Sequence, residues 1–155
     1  MKRNLTTSLV ALALGGALAF AFWPGTSTPA LANQDSASDQ AKLAEAMAVI
    51  NTNFRSARRG ARDASKNAET ADALSEVIVA SIACKDLMPR LVAETQGADQ
   101  AELMKTYRRI MNDLIIVLAQ AENAALAGDN EKLGELLREA NEVKAEGHEL
   151  FIPED

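Results

Sequence analysis

The sequence predicts an all-α protein, an antiparallel up-down-up-down four-helix bundle. From about residue 38 onwards the chain is rich in Ala, Leu, Glu and Lys, which favour helices, and it lacks the apolar–polar alternation of strands. Its apolar residues instead recur every three or four residues in four segments connected by short links. Four amphipathic helices joined in this way pack by default with neighbours along the chain running in opposite directions.

The first predicted helix spans residues 38–61 and the second spans residues 70–88. Thr70 is expected to cap the start of the second helix. Pro89 is expected to end it, because proline lacks an amide hydrogen and clashes with the preceding turn. The first helix presents one apolar face with spacings of three and four residues: Leu43, Met47, Ile50, Phe54, Ala57 and Ala61.

The third predicted helix spans residues 100–127 and the fourth spans residues 130–151. Asp99 is expected to cap the third helix, Gly128 to end it, and Asp129 to cap the fourth. The apolar face of the fourth helix includes Leu133, Leu137 and Ala140. These bounds complete the four-helix prediction.

Residues 1–32 have the features of a cleaved secretory signal. Lys2 and Arg3 precede an apolar stretch at residues 9–22, and Ala30-Leu31-Ala32 provides the small residues of a signal-peptidase site. That stretch is shorter than the ~20 apolar residues that span a membrane. We therefore expect a periplasmic or secreted mature domain at residues 33–155, with a polar lead-in at 33–38 and no membrane association after cleavage.

The composition of this mature domain excludes several classes of protein. All 22 acidic residues but only 14 basic ones lie in it, so its formal charge of −8 argues against nucleic acid as a partner. Cys84 is the only cysteine, which rules out an intramolecular disulfide, a covalent CxxCH haem attachment and a thiolate zinc cluster. We interpret Cys84, beside Ile82 and Ala83, as a buried small apolar residue.

Met47 and His148 are the candidate ligands for a metal or cofactor. Met47 lies early in the first predicted helix and His148, the only histidine, lies late in the fourth, so an antiparallel bundle places both at the same end. A thioether and an imidazole that converge in an apolar crevice form a known axial pair for haem iron. Two plainer interpretations remain at this point: His148 as a partner of the helix dipole, and Met47 as a core-filling residue.

Segments along the whole mature chain resemble the cytochrome b562 family. Its ligand-methionine helix is similar to LAEAMAVINTNF at 43–54, and its closing ligand-histidine segment is similar to EVKAEGHELF at 142–151. The distance from Gly128 to His148, the segment MKTYR at 104–108, Asp72-Ala73-Leu74 and Pro89 also follow the family pattern. Cytochrome b562 is itself a standard example of the up-down-up-down topology.

This resemblance implies a b-type cytochrome that carries single electrons. It implies one non-covalent haem b per chain with Met47 and His148 as iron ligands, and the cofactor contacts Leu43, Ile50, Tyr107, Met111 and Lys144. The sequence departs from the family at Met111, where the family has an aromatic residue. It also has apolar Ile152 four residues after the histidine, which leaves Lys144 as the only cation that the sequence places near the propionates.

A haem-free bundle and an enzyme are the two alternatives to a cytochrome. A haem-free periplasmic bundle acting as an adaptor or binding protein has the same fold. An enzyme is not expected, because the chain has no Gly-rich phosphate loop, no nucleophile elbow and only one histidine, whereas a di-iron bundle needs two ExxH pairs. We expect a monomer whose partner is a redox protein that the sequence does not identify.

Overall fold

The computed structural model describes residues 29–152, with side chains from residue 37, and this part of the chain is all-helical. The helices are α1 (Pro29–Gly60), α2 (Asn67–Cys84), α3 (Arg90–Glu94), α4 (Gly97–Ala127) and α5 (Asn130–Phe151), with a 3₁₀ turn at Ala64–Lys66. The all-α prediction is therefore confirmed. Most of the predicted signal, residues 1–28, and residues 153–155 lie outside the described residues.

Helix α1 begins nine residues earlier than predicted, at Pro29 rather than at residue 38. The polar lead-in expected at residues 33–38 is wrong for this chain, since those residues are helical. Proline is favoured in the first helical turn, and neither proline nor glycine recurs before Gly60, so nothing interrupts the helix once it has formed. The helix thus runs through the predicted signal-peptidase boundary, and the cleavage itself stays a prediction.

The second predicted helix was placed three to four residues too late. Thr70 does not cap α2 but lies inside it, and Pro89 does not end it, because the helix stops at Cys84. Pro89 instead stands immediately before α3, with an extended backbone (φ −61°, ψ 153°). The five residues of α3 were missed because so short a helix shows no periodicity in the sequence.

The link between α4 and α5 agrees with its prediction. Gly128 ends α4 in the left-handed conformation at φ 74°, where glycine carries no steric penalty. Asp129 caps α5 by accepting a hydrogen bond from the amide of Lys132 at 3.0 Å. At the other end of α4, Asp99 lies within the first turn and is not the capping residue, because the helix already begins at Gly97.

Helix α4 contributes more buried side chains than any other helix of the described residues. It is long and apolar enough to pass as a membrane span, yet nine of its side chains are buried within the protein. Packing of a core helix accounts for such composition. The buried face consists of Tyr107, Ile110, Met111, Leu114, Val117, Leu118, Ala121, Ala124 and Ala125.

Contacts between helix ends show how the elements are arranged. The Gln40 side-chain amide donates to the Met88 carbonyl at 2.8 Å, which joins the early part of α1 to the segment after α2. Tyr107 of α4 contacts Phe151 at the end of α5 with ring centroids 5.4 Å apart. Backbone packing is extensive for α1 with α2, α2 with α4 and α4 with α5. Helices α1 and α5 pack far less closely, and the space between them holds the candidate site.

The opposite end of the protein is joined by a pair of amides. Asn67 and Asn130 exchange side-chain hydrogen bonds of 3.0 and 3.1 Å, and Asn130 also donates to the Ala61 carbonyl at 3.3 Å. These bonds connect the turn after α1, the start of α2 and the start of α5. Hydrogen bonds therefore hold the end of α1 and the start of α5 together at this end of the groove between the two helices.

Candidate functional site

A cavity of about 410 Å³ lies between α1, α4 and α5, and α3 borders it. This volume falls in the ~300–1,000 Å³ range of small-molecule and cofactor sites. Most of its wall is apolar, with few polar groups. The structure brings together all seven residues that the sequence analysis named: Leu43, Met47, Ile50, Tyr107, Met111, Lys144 and His148.

Met47 and His148 reach this cavity from two different helices. Met47 lies on the face of α1 that also presents Leu43 and Ile50, because these positions are separated by four and three residues. His148 lies four residues after Lys144 on α5. Both Met47 and His148 are half-buried, so each side chain is neither sealed in the core nor directed away from the protein.

The environment of His148 favours its neutral form. Burial lowers the pKa of His148 below its ordinary value of 6.5, and the positive charge of Lys144 lowers it further. A neutral imidazole has a nitrogen lone pair that can coordinate a metal. The cavity therefore holds the histidine in the protonation state required of a ligand.

Lys144 crosses the groove from α5 to α1. Its Nζ donates to Asn51 Oδ1 at 3.1 Å and lies 5.9 Å from the centre of the Phe54 ring. Burial lowers the pKa of Lys144, with further contributions from the charges of Arg55 and Arg58. A cation in this position increases the electrostatic attraction of the cavity for anionic groups.

Helix α4 supplies a rigid apolar wall. Tyr107 is 5 % exposed, and its hydroxyl donates to the Cys84 carbonyl at 2.9 Å while its ring meets Phe151 edge to face. Burial raises the pKa of Tyr107, so the phenol stays neutral. Met111, one turn further along α4, is also buried. Cys84 is fully buried as predicted, and burial raises the pKa of its thiol to about 11.

Several residues around the cavity were not predicted from the sequence. Arg90 also lines it, so the expectation that Lys144 is the only nearby cation is wrong. Arg90 and Pro89 belong to the segment between α2 and α4, whose path across the end of the bundle has no signal in the sequence. The other lining residues are Gln40, Ala44, Ile110, Leu114, Val143, Gly147, Phe151 and Ile152.

Clusters typical of other metal sites do not occur in residues 37–152. No group of three or more His, Cys, Asp or Glu side chains is arranged to hold a metal ion within that range. A site in this cavity would thus depend on the thioether and the imidazole.

A known protein family matches this chain over most of its length. The family model described as cytochrome b562 matches residues 42–151, which is well over half of the chain and includes both Met47 and His148. The comparisons with curated proteins and with solved structures found no match.

Proposed function

The chain belongs to the cytochrome b562 family, and from this premise we propose that Met47 and His148 are the axial ligands of one non-covalent haem b. The family is one of b-type haem-binding electron carriers. Electron transport through this haem is accordingly the function that we propose, rather than catalysis. The observation that carries the proposal is that Met47 of α1 and His148 of α5, 101 positions apart in the sequence, line one apolar cavity.

The residues around the cavity fit a haem in three respects. Its apolar lining suits a porphyrin ring, and its volume is that of a cofactor site. The lowered pKa of His148 keeps the imidazole neutral. Lys144 supplies positive charge in the cavity for the haem carboxylates.

The protein's own residues control how such a group would behave. Haem iron supplies the one-electron chemistry, and a thioether ligand raises its potential relative to a bis-histidine site by favouring the ferrous state. If Met47 and His148 both held the iron, they would leave no coordination position for oxygen or substrate. Tyr107 and Met111 close the inner wall and exclude water from it.

We further propose that the four long helices form an antiparallel up-down-up-down bundle, with α3 as an insertion between the second and third of them. The links at both ends of the protein support this arrangement. A periplasmic location after removal of residues 1–32, a monomeric state and a redox protein as partner complete the proposal.

Optical spectra test the ligand assignment. Protein produced with haem available is expected to show sharp low-spin Soret and α bands on reduction. Met47→Ala and His148→Ala are each expected to convert the haem to a high-spin or weakly bound form. Met104→Ala is the matched control, because Met104 is a half-buried methionine of α4 that does not line the cavity.

Two further measurements make the test decisive. Added imidazole is expected to restore the low-spin spectrum of His148→Ala, because it replaces the missing ring. The spectrum of Met104→Ala is expected to be low-spin without imidazole and to stay unchanged when imidazole is added. A colourless wild-type protein whose melting temperature does not change when hemin is added would overturn the proposal, since a tightly bound ligand stabilises the fold. That result would favour a haem-free binding protein instead.

A further inference from the structure

Arg90 is a cation at the edge of the cavity that no part of the proposed function requires. It is the first residue of α3 and lines the cavity on a different segment from both proposed ligands. We propose that Arg90 binds a haem propionate and so slows the release of the haem from its cavity. This inference rests on the proposed function, and it concerns how the cofactor is held rather than what coordinates its iron.

The backbone around Arg90 is fixed to the rest of the protein. Pro89 is buried beside the cavity, and Val92, two residues after Arg90, is 0 % exposed. The Met88 amide donates to Asp39 Oδ2 at 3.2 Å, and the Met88 carbonyl accepts from Gln40. The backbone at Arg90 is therefore held in place by hydrogen bonds between Met88 and α1 and by the buried side chain of Val92.

The guanidinium of Arg90 is available for a new partner. Its only ion pair within residues 37–152 is with Glu94, and the distance of 3.7 Å from Nε to Oε1 is too long for a hydrogen bond. The side chain is 59 % exposed, so it can turn without losing packing. Lys144, in contrast, already donates to Asn51 and lies over Phe54.

The chemistry of haem requires such a partner at the open edge. Burying a carboxylate against apolar side chains is costly unless the charge is paired, so the two propionates belong at the rim. Ile152 lines the same cavity and offers no charge there. A guanidinium matches a carboxylate in shape and binds it through two parallel hydrogen bonds.

The test compares two haems in two proteins. Haem release to excess apomyoglobin is measured for wild type and Arg90→Gln, each loaded with haem or with its dimethyl ester, whose carboxylates are blocked. We expect Arg90→Gln to release haem roughly two- to fivefold faster, as for a partly exposed ion pair. With the dimethyl ester the two proteins are expected to release at equal rates. A purely structural effect of the substitution would accelerate the release of haem and of its dimethyl ester alike.

Two further variants sharpen the comparison. Arg90→Lys keeps the charge and is expected to release haem at a rate between those of wild type and Arg90→Gln. Arg108→Gln removes an arginine of α4 that is paired with Asp86 and does not line the cavity. This variant is expected to release haem as wild type does.

The possible failures are distinguishable. Wild type that binds haem with a low-spin spectrum, but releases it no more slowly than Arg90→Gln, overturns the role of Arg90 and leaves the proposed function intact. Equal acceleration for haem and dimethyl ester also overturns it. Wild type that takes up no haem overturns both proposals.

Discussion

Replacement of Gly147 by alanine tests whether the cofactor occupies the cavity between α1 and α5. Gly147 lies in α5 next to His148, and a methyl group there would come 3.3 Å from Ile110 Cγ2 on α4. Alanine favours a helix over glycine by ~0.5–1 kcal/mol. In the haem-free protein, Ile110 can yield by a few tenths of an ångström because it borders open cavity. The haem-free variant is therefore expected to be as stable as wild type or slightly more stable.

With haem in the cavity, the same methyl group has no space to displace Ile110. Overpacking costs about 1–3 kcal/mol, which corresponds to a loss of haem affinity of roughly fivefold or more. Gly134→Ala is the matched control, because it lies in the same helix and its methyl group would meet only the flexible end of Arg138 at 3.8 Å. Urea unfolding of the haem-free proteins and haem-release rates measure the two effects. Equal haem release from both variants would refute the placement of the cofactor in this cavity.

Three other perturbations have outcomes that follow from the structure. Gly60→Ala would place a methyl group on the buried hydroxyl of Thr70, and we expect urea unfolding to show a loss of about 1–3 kcal/mol. The folded protein disfavours protonated His148, so the unfolding free energy of the haem-free protein is expected to fall as the pH drops below about 6.5, and to fall less in His148→Gln. Lys144→Met removes a desolvated cation together with its hydrogen bond to Asn51. Chemical denaturation of the haem-free variant is therefore expected to show an unchanged or higher free energy of unfolding, whereas haem titration is expected to show weaker binding.

The family and the main site residues could be predicted because several segments of the chain resemble those of the cytochrome b562 family in residue type and spacing. The resemblance to cytochrome b562 is confirmed by the family match over residues 42–151. Leu43, Met47 and Ile50 share one face of α1 by helical periodicity alone, and the cavity includes all three. That these residues bind haem stays a prediction until the spectra are measured.

The errors occurred where local signals compete with packing. Thr70 has the chemistry of a helix cap, yet the helix begins three residues earlier and buries it. Pro89 has the chemistry of a helix stop, yet the chain leaves α2 at Cys84 and uses the proline to begin α3. Capping and stop residues are compatible with a helix end, but tertiary contacts decide at which residue the helix begins or ends.

The sequence by itself determined that the protein is helical, which face of each long helix is apolar, and that one thioether and one imidazole are the candidate ligands. These properties follow from the 3.6-residue repeat and from side-chain chemistry. Only the tertiary structure decided that α1 and α5 leave a cavity between them, that Lys144 spans it to Asn51, and that Arg90 stands at its edge. The physical reason is that these are relations between segments far apart in the sequence, such as Asn51 and Lys144, which are 93 positions apart. They depend on how the helices pack and on the path of the chain between α2 and α4.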